Sequence, residues 1–241
     1  MLWRSLLAAA LVCCLAPLPA AQAAPDWPAI AGTYPQLGSL PSREELAIMH
    51  WLQDTRTRAD VARADVESHP DLDGFLGALG GSADASDYPA TVALLKQAKD
   101  DMKPVVKALK AQFGRPRPFV SDTTLAPALP EAESCSFPSK HATEGILFAS
   151  LLSQLDPADQ ATLLEEGGLI GNDRVMAGLH WPSDVAAGQR LGKAFAAYWL
   201  GLPENAGLLE DAAAEWNAGG TRVTGGSPVT VSGPHHSSTS R

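Results

Sequence analysis

The stretch Pro182-Ser-Asp-Val-Ala-Ala-Gly-Gln-Arg-Leu-Gly-Lys-Ala-Phe-Ala-Ala-Tyr-Trp-Leu200 places Val185, Gly188, Gly192, Phe195 and Trp199 at steps of three and four residues. That spacing puts them on one face of an α-helix. Pro182 suits the first helical position, where its missing N–H would have had no partner. The many alanines and glycines let neighbouring helices approach closely. The flanking sequence keeps the period. Ser139 reads as the cap of a helix with Phe148, Leu151, Leu152 and Leu155 in one stripe, and another helix spans Pro157 to about Met176. From Ala90 to Phe113 the positions Leu95, Ala98, Met102, Val105, Leu109 and Phe113 repeat helically, with Pro104 inside predicted to kink the helix. Ser42 and Glu45 form a capping-box pattern that starts a helix to about Glu67, stopped before Pro70. The glycines at 74, 77, 80 and 81 predict a loop, as does the proline-rich segment 114–138. Strand-like alternation is nearly confined to Val229–Val231.

The expected fold is therefore all-α, a single-domain helical bundle. Its expected organisation is a signal peptide at 1–23, an extended lead-in at 24–41, the helical domain at 42–205, and a C-terminal segment at 206–241, disordered from about 219. The leader reading rests on Arg4, the apolar run Leu6–Leu15 and the small-x-small site Ala21-Gln22-Ala23. No later stretch approaches the ~20 apolar residues a membrane span needs, so stable membrane insertion is not expected. A periplasmic or secreted location follows. With 18 Lys+Arg against 27 Asp+Glu, the chain carries a formal charge of −9, which argues against nucleic acid or anionic membranes as general partners. At 45% apolar residues it is not a disordered chain. Of its three cysteines two lie in the leader, which leaves Cys135 as a buried thiol without a chemical role.

Three polar clusters stand out. Lys110, Arg115 and Arg117 fall within eight residues, the two arginines set among prolines that restrict the backbone. Arginine suits bidentate contact with phosphate oxygens, though a solvated basic turn closing a helix has the same composition. Ser139-Lys140-His141 puts a hydroxyl, free backbone N–H groups and an imidazole in one first turn, a ready anion site or simply a capped helix. Around Pro182, His180 and Asp184 are spaced for a carboxylate to hold one imidazole nitrogen and leave the other free, as in nucleophilic sites; a structural His–Asp pair would look alike. Arg174 precedes them by six residues. Lys110, Arg117, Lys140 and Arg174 would repel a divalent ion, which favours an anion over a metal at this site.

Taken together, the blocks resemble the phosphatidic acid phosphatase type 2 superfamily, and most closely its soluble branch, the class A bacterial non-specific acid phosphatases. The family signature K-x6-R-P, P-S-G-H, S-R-x5-H-x3-D is matched by Lys110 with Arg117-Pro118, by Pro138-Ser139-Lys140-His141, and by Asp173-Arg174 with His180 and Asp184. The resemblance implies a bundle of the phosphatidic acid phosphatase type 2 and vanadium haloperoxidase type that hydrolyses phosphate monoesters without metal or cofactor. In that reading His180 attacks phosphorus to give a phosphohistidine and Asp184 orients it. His141 protonates the leaving alcohol and then activates water. Lys110, Arg117, Ser139, Lys140 and Arg174 bind the phosphoryl group. Vanadate or phosphate would inhibit, and a homo-oligomer is a possible partner state.

Two residues depart from the signature: Lys140 stands at its glycine and Asp173 at its first serine. Their opposite signs suggest a Lys140–Asp173 pair. The alternatives to a phosphatase are a vanadate-dependent haloperoxidase-like enzyme, and an inactive phosphate-binding relative disabled at those two positions. Phe119, Phe137 and Trp181 are the expected apolar lining of the pocket. His50, Trp51 and His69 read as helix packing or helix ends, and His235-His236 as tail residues.

Overall fold

A computed structural model describes residues 22–80 and 82–219. The expected leader (apart from Gln22 and Ala23), the Val229–Val231 alternation and His235-His236 lie outside the described residues. Among the described residues there are ten α-helices and no strand, in agreement with the all-α expectation.

The centre is a three-helix stack in which α7 (Lys140–Leu155) lies against both α8 (Gln160–Met176) and α9 (Pro182–Leu200). Small residues set the α7–α8 distance. A Cβ on Gly145 would sit 2.4 Å from the Gly167 carbonyl oxygen, so the two backbones touch where any side chain would hold them apart. Leu147, Leu151, Leu152, Leu163 and Leu191 are fully buried around this seam. Each such side chain contributes roughly 1.5–3 kcal/mol of burial free energy. The long α5 (Pro89–Phe113) packs Leu94, Leu95, Ala98, Met102, Val106 and Leu109 against the stack and ends at Gly114, whose left-handed φ of 61° suits glycine. Pro104 lies inside α5, on its exposed side, and the helix continues through it.

The first third of the chain differs from the sequence expectation. The lead-in contains α1 (Trp27–Ala31), which packs on α9. Ser39, not Ser42, caps α2 (Leu40–Thr55), and Ser42 Oγ instead accepts from Gly38 N at 3.0 Å. The expected long helix stops at Arg56, because Thr57 and Asp60 form their own capping box and open α3 (Arg58–Val66). The glycine-bearing segment folds as α4 (Leu72–Ala78), capped by Asp71 and anchored by buried Leu72, Phe75 and Leu76. Within the proline-rich segment only the single turn α6 (Pro118–Ser121) is helical. At the far end α10 (Ala206–Ala218) joins the main core through Ala212 and Trp216, and Glu215 accepts from the backbone N–H groups of Ala90 and Thr91 at 2.8 Å each. Helical packing thus extends beyond 42–205 on both sides. Trp51 is exposed and His50 pairs with Asp122 at 3.0 Å, so neither is core.

Candidate active site

The start of α7, the turn leading into α9, the C-terminal half of α5 and residues 132–135 enclose a cleft of about 620 Å³. Lys110 and Arg117, from the end of α5 and the turn after it, line it together with Lys140, His141 and His180.

His180 ends the turn between α8 and α9. Gly178 adopts φ 80°, which brings both Leu179 N and His180 N back onto the Arg174 carbonyl at 2.9 and 3.2 Å. The ring is almost fully buried. Nδ1 lies 3.2 Å from Asp184 Oδ2, and Nε2 lies 2.9 Å from Arg117 Nη1. Arginine only donates, so Nε2 carries the lone pair and the proton sits on Nδ1, donated to Asp184. Burial holds the His180 pKa down at about 3, with the Arg117 and Lys110 charges acting in the same direction and the Asp184 hydrogen bond opposing. The imidazole is therefore neutral across the ordinary pH range.

Asp184, fully buried, accepts from Ser136 Oγ at 2.5 Å and Trp181 N at 3.0 Å on Oδ2, and from Arg115 at 2.6 Å on Oδ1. Burial alone would raise its pKa; the bond to His180, with Arg115 and Ser136 assisting, outweighs that and holds it below the usual carboxylate range. Arg115 also donates to Glu45 at 2.9 Å and to Ser183 Oγ at 2.7 Å, and its guanidinium stacks 4.7 Å from the Tyr34 ring centroid and 4.9 Å from that of Trp181. Glu45 in turn accepts from Ser183 N at 2.6 Å. A buried run of charges, Glu45–Arg115–Asp184, thus lies behind the His180 ring.

Lys110 reaches the carbonyls of Cys135 and Ser136 at 2.5 and 3.1 Å. Burial, with the Arg117 charge added, pulls its pKa down to about 7. Arg117 donates to the carbonyls of Ser134 and Leu179 at 2.8 Å each, as well as to His180. His141, in the first turn of α7, sets Nε2 3.2 Å from the Ser68 carbonyl. A carbonyl only accepts, so Nε2 carries a proton and Nδ1 is the nitrogen left to exchange one. Burial, followed by the charges of Lys140 and Arg174, pushes the His141 pKa well below the usual imidazole value.

Two expected phosphate ligands sit behind the cleft wall. Ser139 is fully buried: its hydroxyl accepts from Ala142 N at 3.3 Å and its N–H donates to the Asp184 carbonyl at 3.0 Å. Arg174 turns toward α3, donating to the Ala64 carbonyl and to Ser68 Oγ. Ser68 therefore holds both His141 and Arg174. The suggested Lys140–Asp173 pair does not form. Asp173 accepts from Arg63 Nε and Nη2 at 2.8 Å each, while Lys140 lies 3.9 Å from Glu144. The Arg63 fork matches the carboxylate, and Lys140 lines the cleft, which Asp173 does not. The apolar guesses also fail. Phe137 packs in the main core, Trp181 stacks on Arg115, and Phe119 packs beside the smaller clusters; Val106, Ala111 and Ala132 supply the apolar lining instead. Cys135 is half-buried at the cleft rather than buried in the core.

Arg115, Glu45, Ser134, Ser136 and Ser68 were not assigned to the site from sequence. The only signal for Arg115 was its place in the same proline-restricted turn as Arg117. Glu45 was masked by its capping spacing, and the serines lie in segments without periodicity.

Residues 94–207 match the family model described as PAP2 superfamily. The chain is 32% identical over 140 residues to an acid phosphatase of Zymomonas mobilis, covering 55% of this chain and 52% of that protein. It is 28% identical over 162 residues to a non-specific acid phosphatase of Providencia stuartii, covering 64% and 65%. The match thus spans about half to two thirds of the length of these curated relatives. Among solved structures, a transmembrane PAP2-type phosphatidylglycerolphosphate phosphatase from Bacillus subtilis aligns at TM-score 0.45 and 20% identity, over 67% of this chain and 85% of that one.

Proposed function

We propose that the PAP2 superfamily domain of this chain is a metal-independent acid phosphatase that hydrolyses phosphate monoesters through a phosphohistidine on His180. The observation that supports it best is a neutral, buried His180 whose Nε2 lone pair meets Arg117 in a cleft shared with Lys110 and His141. An entering phosphate takes over the donors that Arg117 and Lys110 spend on carbonyls, which uncovers Nε2 for attack. The Nε2–P bond forms as the bond from phosphorus to the ester oxygen breaks. His141 Nδ1 gives that oxygen its proton. Water then attacks phosphorus, the N–P bond breaks, and His141 takes the proton from water. Asp184 stabilises the positive charge on the ring, while Lys110 and Arg117 offset the charge on the phosphoryl oxygens.

The electrostatics favour acid. His141 holds its proton only at low pH, and Lys110 loses its charge above about 7. The dianionic substrate raises both values as it binds. Asp173, paired with Arg63 outside the cleft lining, is no obstacle to phosphate. Export to the periplasm or medium belongs to the same reading, on the strength of the apolar run Leu6–Leu15; among the described residues no helix is long and apolar enough to cross a membrane. The test is turnover of an aryl phosphate by the protein and by His180→Ala, with a chelator and with vanadate. Chelator-resistant, vanadate-sensitive turnover and an alkali-stable, acid-labile phosphoprotein are expected from the wild type. Retained activity in His180→Ala, or its loss to the chelator, refutes the mechanism.

A further inference from the structure

The cleft is lined by four lysines, one arginine and two histidines and by no carboxylate, in a chain whose net charge is −9. One phosphoryl group accounts for Lys110 and Arg117, which are sunk to 9% and 6% exposure. It leaves Lys103, Lys107 and Lys140 without a task. Lys103, Lys107 and Lys110 recur at four- and three-residue steps and so share one face of α5. At ~1.5 Å rise per residue, Lys107 lies about 4.5 Å and Lys103 about 10 Å along the helix from Lys110. Lys140 approaches from α7, close enough that its charge is felt at both His141 and Lys110. Its side chain is 40% exposed, and its nearest carboxylate, Glu144 at 3.9 Å, is already taken by Lys99. Lys103 is held by Asp100 at 2.7 Å, whereas Lys107 forms no ion pair among the described residues.

We propose that Lys107 and Lys140, with Lys103 at the rim, form a second phosphate subsite, and that the preferred substrates carry a phosphate on their leaving group, above all as a phosphoanhydride. This rests on the phosphatase reading and names its substrate class. Lys140 and His141 are neighbours at the start of α7 and both line the cleft, so a leaving group that takes the His141 proton departs beside the lysines. With a nucleoside diphosphate, His180 Nε2 bonds to the terminal phosphorus as the bond from that phosphorus to the bridging oxygen breaks. The electron pair stays on the bridging oxygen, which takes the His141 proton and leaves as part of a nucleoside monophosphate. Water then splits the N–P bond to release orthophosphate, and His141 regains a proton. Lys107 and Lys140 offset the charge of the departing phosphate, a contribution that a neutral alcohol does not call on.

The experiment compares kcat/KM for a nucleoside diphosphate and for an aryl phosphate in wild type, Lys107→Ala, Lys140→Gly and the double variant. Inorganic diphosphate and orthophosphate binding is measured alongside by titration calorimetry. The diphosphate-to-aryl ratio is expected to fall about fivefold for each lysine removed, the size of a partly exposed ion contact. The tighter binding of inorganic diphosphate over orthophosphate should vanish in the double variant. An unchanged ratio, or equal binding of the two anions by the wild type, overturns the subsite even if aryl phosphate turnover proceeds. A diphosphate preference in binding without turnover of any ester would uphold the subsite and overturn the phosphatase reading instead.

Discussion

Replacing Arg115 by methionine keeps most of the side-chain volume between Tyr34 and Trp181 but deletes the donors to Asp184 Oδ1 (2.6 Å) and Glu45 (2.9 Å). Two buried carboxylates then face each other with no cation between them. Stranding one partner of a buried ion pair costs about 3–5 kcal/mol. At roughly 2–4 °C per kcal/mol for a domain of this size, the melting temperature should drop by about 6–20 °C. Asp184 keeps Ser136, Trp181 N and His180, so the fold survives but the carboxylate loses the contact that fixes its second oxygen. The His180 pKa should rise, because Asp184 is no longer shared with a cation, and kcat should fall with it. Glu45→Met in the same chain removes one of the stranded charges, so the double variant should be more stable than Arg115→Met alone. Thermal melts of the four proteins by circular dichroism, with aryl phosphate kinetics at several pH values, provide the test. A loss below about 1 kcal/mol in Arg115→Met, or strictly additive effects in the cycle, would refute the charge-run argument.

Lys110→Arg should keep its cation above pH 7, where the lysine loses its own, so the rise of KM on the alkaline side should move to higher pH; a pH profile of KM checks it. Burial, with Asp173 and Glu166 nearby, raises the Glu67 pKa to about 8. The folded state thus favours the protonated acid, and its stabilisation is lost as pH climbs from the carboxylate range through 8. Glu67→Gln should accordingly raise the melting temperature at pH 8 by at least ~2 °C and change it little at pH 4; equal shifts at the two pH values would exclude this. Gly145→Ala puts a Cβ 2.4 Å from the Gly167 carbonyl oxygen and should cost about 1–3 kcal/mol or more. Gly77→Ala meets nothing within 4 Å and should be neutral or stabilising in the same denaturant titration.

What the sequence revealed follows from how local each signal is. The helices α5, α7, α8 and α9 were legible because their apolar spacing and their start and stop residues lie within one segment. His180 and Asp184 belong to one turn and appeared together for the same reason. The partners of Asp184 come from three distant places: Glu45 by way of Arg115, Ser136 from the loop, and Ser139 through its backbone. No spacing rule links such residues. Asp173 shows the same limit. Its sign invited a pairing with Lys140, yet the structure supplies Arg63, 110 residues earlier in the chain. The early boundaries slipped because Ser39, Ser42, Thr57 and Asp71 are all competent caps, and tertiary contacts decide which are used.

Asp184 joins the two halves of the site through its main chain as well, since its carbonyl accepts the N–H of Ser139 at the foot of α7. His180 and His141, the proposed nucleophile and proton donor, are therefore tied together by a main-chain bond between the starts of α7 and α9. In the proposed phosphatase, adaptation to new substrates falls to the outward lysines of α5, Lys103 and Lys107, which line the cleft outside that block. An engineer seeking a different substrate range would diversify those positions and leave the helix starts alone.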